Sequence, residues 1–175
     1  MANLPARKPG ADHCRLVPFE SAWADLVVSW VRDAQEAYWL APKSVPPLTS
    51  AELLRWRKPD HNPYLLVDGE RREPIGYGEL NRMVGPRRQY WLGHLLVNPA
   101  CRGRGYGVRL TALLLAEAFE QRGAQRVTLV AFPDNAAALA CYRAAGMVDD
   151  GWEWHTFPAY GRRACLVRLA AARLA

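Results

Sequence analysis

From residue 13 to about residue 56 the chain reads as one short strand followed by helices, and from Pro63 onward its apolar positions take up the period of strands. Residues 13–19 (HCRLVPF) have the apolar content of a first strand. Trp23, Leu26, Val27, Trp30 and Val31 then recur at i, i+3, i+4, i+7 and i+8, one continuous helical face with Ser21 placed to cap it. The pattern runs loosely on through Tyr38, Trp39 and Leu40 until Pro42, Pro46 and Pro47 stop it. Thr49 stands three residues before Glu52, a capping-box spacing ahead of Leu53, Leu54 and Trp56, and predicts a second short helix.

In the strand-like half, YLLV at 64–67, the turn signal Asp68-Gly69 and IGYGEL at 75–80 predict an antiparallel hairpin with a charged connection at 70–73. Residues 89–97 (QYWLGHLLV) are almost wholly apolar, which predicts a strand buried on both faces and ended by Asn98-Pro99. A helix from about Gly105 to Arg122 stopped by Gly123, a buried strand at 126–132 (RVTLVAF) and a helix from Asn135 to Ala145 stopped by Gly146 come next. The runs 152–157 and 163–169 predict a closing hairpin. Strand and helix alternate through the second half, so the class is α/β.

The chain has 175 residues, half of them apolar, which is room for one domain with a full core. The expected division is a flexible leader at 1–12 and a single domain at 13–175. Lysine and arginine total 23 against 17 acids, a formal charge of +6 carried almost entirely by arginine. That balance favours anionic partners without choosing among phosphorylated cofactors, nucleic acid and anionic membranes. No apolar run approaches the ~18 residues of a membrane span, and the first residues lack the apolar core of a secretory signal, so a cytoplasmic protein with no membrane contact is expected. Cys14, Cys101, Cys141 and Cys165 are scattered without a CxxC pair, which predicts reduced thiols and no metal site.

The most informative stretch is Cys101-Arg102-Gly103-Arg104-Gly105-Tyr106-Gly107, between an apolar strand and the first turn of a long helix. Free N–H groups at a helix start carry partial positive charge, and glycines let an anion approach the backbone closely. Arg102 and Arg104 add full charges. The stretch is not a Walker loop, since no GK[ST] follows, and Val108 stands where a dinucleotide-binding GxGxxG would need its third glycine.

Arg102-x-x-Gly105-x-Gly107 after Val97-Asn98-Pro99 resembles the acyl-CoA motif of the GNAT N-acetyltransferases. Asn135, Ala138, Tyr142 and Gly146-Met147 are similar to a second block of that family, and the resemblance spans about residues 75–147. It implies a mixed, mostly antiparallel sheet whose parallel fourth and fifth strands splay apart, with helices on both faces, and acetyl-CoA entering the splay. It also implies that the amides of Arg102, Gly103, Arg104, Gly105, Tyr106 and Gly107 hold the pyrophosphate, that the backbone of Leu95 and Val97 pairs with the pantetheine arm, and that Val97 N–H is an oxyanion donor. On the second helix Asn135 and Tyr142 lie within roughly 20° of one face and about 10 Å apart along the axis. There Asn135 is a pantetheine donor or a helix cap, Ala138 leaves room, and Tyr142 is a proton donor to the departing thiolate or a core aromatic.

Direct transfer needs a neutral amine, so some group must take a proton. Glu79 shares strand parity with Ile75 and Tyr77, an apolar face on which burial is expected to raise its pKa to a useful value. His94, three residues before Val97, is the other candidate, with an ordinary pKa of about 6.5. Tyr38, Trp39 and Trp154 are candidate walls of an acceptor pocket, and no dense acidic cluster calls for a polycationic acceptor. The functional reading is transfer of an acetyl group from acetyl-CoA to a primary amine in a ternary complex, and a homodimer is compatible with it. The alternatives are an acyl-CoA sensor without turnover, or a basic module for nucleic acid. The position of Arg102 and Arg104 inside a phosphate turn argues against nucleic acid, and an intact Tyr142 argues against an inactive sensor.

Overall fold

The computed structural model describes residues 13–69, 74–85 and 88–173. The expected leader at 1–12 and the charged connection at 70–73 lie outside the described residues. Seven strands form one sheet: β1 (Cys14–Pro18), β2 (His61–Asp68), β3 (Pro74–Arg82), β4 (Gln89–Val97), β5 (Arg126–Ala131), β6 (Val148–Phe157) and β7 (Arg162–Ala172). Their order is β1-β2-β3-β4-β5-β7-β6, parallel between β4 and β5 and antiparallel elsewhere. The helices are α1 (Ala24–Ser29), α2 (Ala34–Leu40), α3 (Ser50–Arg55), α4 (Tyr106–Ala116) and α5 (Ala136–Ala144). No helix among the described residues is long and apolar enough to cross a membrane.

Both faces of the sheet are covered. Val27 and Trp30 next to α3's Leu53 pack on Leu65, Val67, Tyr77 and Leu96 on one side. On the other side α4 presses Leu110 and Leu114 onto Leu66, Ile75, Leu80 and Leu92, beside Leu139 of α5. Ile75 therefore packs away from Tyr77, because the β2/β3 register shifts beside it, and the strand parity expected for Ile75 with Glu79 fails.

The single first helix predicted by the Trp23 to Leu40 pattern is two helices. Ser29 turns its hydroxyl back to the Leu26 carbonyl, and Asp33, in extended backbone, accepts from Glu36 N–H at 2.8 Å to start α2. Half of the capping box forms: the Thr49 hydroxyl accepts from Glu52 N–H at 3.2 Å, while the Glu52 carboxylate accepts from Arg55 at 2.9 Å. Gly146 after α5, and Gly123 after the π-helical stretch Glu117–Gln121 that continues α4, have positive φ, as their positions predict.

Strand β4 departs from the expectation of burial on both faces. It pairs with β5 only at Gln89↔Arg126, Tyr90↔Val127 and Trp91↔Thr128, after which the two strands separate. Against β3 its register slips between Tyr77↔Leu96 and Glu79↔Gly93, and His94 sits there with φ 51°. This bulge inverts the side-chain alternation: Tyr90 and Leu92 face α4, whereas Leu96, of the same parity, faces α1 and α3.

Candidate active site

The gap between β4 and β5 is the floor of a cleft of about 950 Å³ that runs from the turn after β4 to the aromatic side chains under α3. At the turn, Gly103 and Gly105 have φ of 73° and 83°, the left-handed region that glycine occupies without penalty. A Cβ at either would meet nothing within 4 Å, so the space above them is open. The N–H groups of residues 103–108 have no acceptor among the described residues, and they sit at the N-terminus of the eleven-residue α4. Gly107 touches the next helix: a Cβ there would lie 3.0 Å from Cys141 Sγ.

One of the two arginines of the turn departs from expectation. Arg102 does not lend its charge to the open space. Its Nη1 donates to Glu36 Oε1 at 2.6 Å, its Nη2 to Glu36 Oε2 at 3.2 Å, and its Nε to the Val97 carbonyl at 3.0 Å. Burial pushes the Glu36 carboxyl up, but hydrogen bonds from Arg102 and Arg32 outweigh it and bring the pKa down to about 2. Arg104 is exposed, and Tyr106 turns its ring into the core and leaves only its amide at the turn.

Along β4, Asn98 N–H donates to the Ile75 carbonyl at 2.9 Å, so by alternation Val97, one residue back, points its amide to the opposite edge, into the gap. Leu95 and Val97 both line the cleft. Asn135, Ala138 and Tyr142 line it from α5, as their shared face predicts. Asn135 Oδ1 caps that helix by accepting from Ala138 N–H at 3.3 Å. The Tyr142 hydroxyl has no partner among the described residues, and burial, followed by the neighbouring Cys141, raises its pKa.

Glu79 is 1 % exposed and does not reach the cleft. Its oxygens accept from Tyr77 Oη and Asn81 Nδ2, each at 2.8 Å, and its Oε1 lies 3.0 Å from His94 Nδ1, close but off the line of a good hydrogen bond. The pKa expectation for Glu79 is reversed. Burial pushes it up, yet His94, Asn81 and Tyr77 together hold it below the ordinary carboxylate value. His94 itself lines the cleft and stacks on Trp56, with ring centroids 3.8 Å apart. Trp91 meets His94 and His61 edge-on, at 6.2 and 5.8 Å. Gly93 makes room for that indole, since a Cβ there would overlap the Trp91 ring.

The acceptor walls also differ. Trp39 lines the cleft, held by its indole N–H to Asp134 at 3.2 Å, while Tyr38 is buried against Phe132 and Phe157, and Trp154 is 64 % exposed and outside the cleft. The walls that sequence reasoning missed are Trp56, Trp91 and His61. The one signal for them is Gly93, an isolated glycine in an apolar strand, which marks a bulge or a close approach.

The Acetyltransferase (GNAT) family model matches residues 24–147. The chain belongs to the GNAT family. Solved structures with the GNAT fold include the spermidine N-acetyltransferase of Vibrio cholerae in complex with CoA and spermine, 17 % identical with a TM-score of 0.76 over 91 % of this chain and 95 % of that one. AAC(6')-Ib in complex with ribostamycin and coenzyme A is 21 % identical, with a TM-score of 0.73 over 93 % of this chain and 94 % of that one. A GNAT-family acetyltransferase from Bacillus anthracis superposes with a TM-score of 0.76 at 15 % identity, over 92 % of this chain and 95 % of that one. An uncharacterized protein of Mycobacterium leprae (strain TN) is 35 % identical over 98 residues, which are 55 % of this chain and 26 % of that protein. This GNAT chain thus spans only about a quarter of that relative's length. No group of residues able to hold a metal is present among the described residues.

Proposed function

We propose that the protein transfers an acetyl group from acetyl-CoA to a primary amine, directly and in a ternary complex. The observation that carries this reading is the cleft itself, which joins a turn of unpartnered amides to an imidazole and a phenol. The thioester supplies the activated acetyl group. Residues 103–107 hold the pyrophosphate through their amides, over Gly103 and Gly105, where no side chain intrudes. The free edge of β4 at Leu95 and Val97 orients the pantetheine arm, with Asn135 and Ala138 opposite it. Val97 N–H is placed to meet charge developing on the acetyl oxygen.

The base in this reading is His94. Its Nδ1 faces the Glu79 carboxylate, so the neutral ring keeps its proton there and Nε2 holds the free lone pair. His94 Nε2 takes the amine proton. Glu79 is a positioning residue: its carboxylate, held ionised by its partners, fixes the ring. Tyr142, whose raised pKa keeps its hydroxyl protonated at every working pH, donates to the departing sulfur and gives a modest assistance.

The test incubates the protein with acetyl-CoA and a broad panel of amines and peptides, following thiol release together with the mass of the acetylated product. Equal amounts of CoA and acetylated amine are expected for at least one acceptor. Thiol release with no acetylated amine, or no release with any acceptor, overturns the proposal.

A further inference from the structure

The cleft has a charge imbalance that the transfer chemistry does not use. Among the described residues its charged lining is Arg32, Lys43, Arg55, Lys58 and Arg102 against Glu36 and Glu52. Both carboxylates are engaged: Glu36 with Arg32 and Arg102 at 2.5 and 2.6 Å, Glu52 with Arg55 at 2.9 Å. Lys43 and Lys58 are exposed and have no partner among the described residues.

These two lysines lie at the acceptor end and not at the phosphate turn. Ser44, next to Lys43, accepts from the Trp56 indole at 3.1 Å, and that indole stacks on His94. Lys58 follows Trp56 by two residues, and its carbonyl accepts from His61 N–H at 2.9 Å. His61 registers with Asn81, and Asn81 with Trp91, near the start of β4. Trp91 lies about 20 Å along the strand from Val97, and the turn begins beyond Val97. An ammonium rim therefore borders a floor of indole and imidazole rings.

We infer that the acceptor is a primary amine whose own molecule carries an anionic group, a carboxylate or a phosphate, on an apolar or aromatic body, and that polyamines are poor acceptors. The inference rests on the acetyl-transfer reading for the identity of the site, and adds the charge of what enters it. An anion on the acceptor meets Lys43 and Lys58 while the body lies against Trp56 and Trp91, which brings the amine to His94. A polycation such as spermine, the ligand of the Vibrio cholerae neighbour, meets the same two charges and finds no free carboxylate.

The experiment compares amines that differ by the anion alone: phenylalanine with phenethylamine, 4-aminobutyrate with butylamine, and phosphoethanolamine with ethanolamine, with spermidine as the polycation. Both kcat/KM and calorimetric affinity for the CoA-bound protein are measured. At least one anion-bearing member is expected to exceed its anion-free partner about tenfold in both, as charge-assisted contacts permit, and to exceed spermidine by more. Whether the carboxylate or the phosphate pair shows the ratio identifies the anion. In the Lys43→Glu/Lys58→Glu double variant the ratio should fall to about one or below. A ratio of one or less in every pair, preference for spermidine, or a ratio unchanged in the double variant overturns the inference. Transfer confined to the anion-free amines overturns it and leaves the acetyl-transfer reading standing. Selective binding of the anion-bearing amines with no transfer to any acceptor supports the charge inference and overturns the acetyl-transfer reading.

Discussion

The two ends of β4 are built from different materials. Its C-terminal end leads into a turn made of backbone, with amides and glycines supplied by one short run of sequence. The segment from Trp91 to His94 is walled by side chains from three other places in the chain: Trp56 at the end of α3, His61 on β2 and Glu79 on β3. A backbone device binds what every member of a family shares, and is written as a spacing. A side-chain device is free to vary by substitution, which suits the half of the cleft that selects an acceptor.

The contrast is tested most severely at His94. His94→Gln should lower acetyl transfer by about 10²- to 10⁴-fold while acetyl-CoA affinity holds, because the change removes a proton acceptor and leaves the turn intact. The loss should shrink as pH rises and the free amine accumulates. Single-turnover rates across a pH series, with cofactor affinity by calorimetry, decide it; equal rates would show that His94 is not the base. Next is Tyr142→Phe, which keeps the ring and removes the hydroxyl. Turnover should fall about 10²-fold, with affinity and melting temperature unchanged.

A third test concerns the tie between the two ends. Glu36 has a folded pKa of about 2 against an ordinary 4.5, so its contribution is fully present above about pH 4.5 and is lost as pH falls towards 2. The depression is worth about 3 kcal/mol. Denaturation midpoints at pH 7 and pH 3 should differ less in Glu36→Gln than in the parent, and an identical pH dependence would show the ion pair with Arg102 to be idle. The smallest effect is expected at the turn. Gly103→Ala forces a left-handed φ on alanine, a strain of about 1 to 2 kcal/mol, and puts a methyl where the anion would lie. CoA affinity should drop about tenfold, and transfer at saturating acetyl-CoA should stay near the parent value.

The sequence and the structure agree where local pattern decides the outcome. The hairpin of β2 and β3, the capped α3, the glycine stops and the turn after β4 all follow from spacing and turn chemistry. Parity cannot be counted through a bulge, so the burial of β4 and the partners of Ile75 were beyond a period-2 reading. The pKa of Glu79 departs from a burial argument because hydrogen bonds outweigh burial: Tyr77 and Asn81 flank it at i−2 and i+2 on one strand face, and only His94 needs the folded register with β4 to reach it. Arg102 likewise needs the fold to meet its partner, since Glu36 is 66 residues away along the chain.

The bulge at His94 is also a spare residue of length. Between the pairs Glu79↔Gly93 and Tyr77↔Leu96 strand β4 has one residue more than β3, so deleting one residue there would restore simple alternation and leave Leu95, Leu96 and Val97 on their present faces. Both cores would survive the deletion. What would go is the left-handed position that sets the His94 ring against Trp56 and beside Glu79. The extra residue belongs to the cleft and not to the packing, and a shortened strand would keep the fold and lose the imidazole.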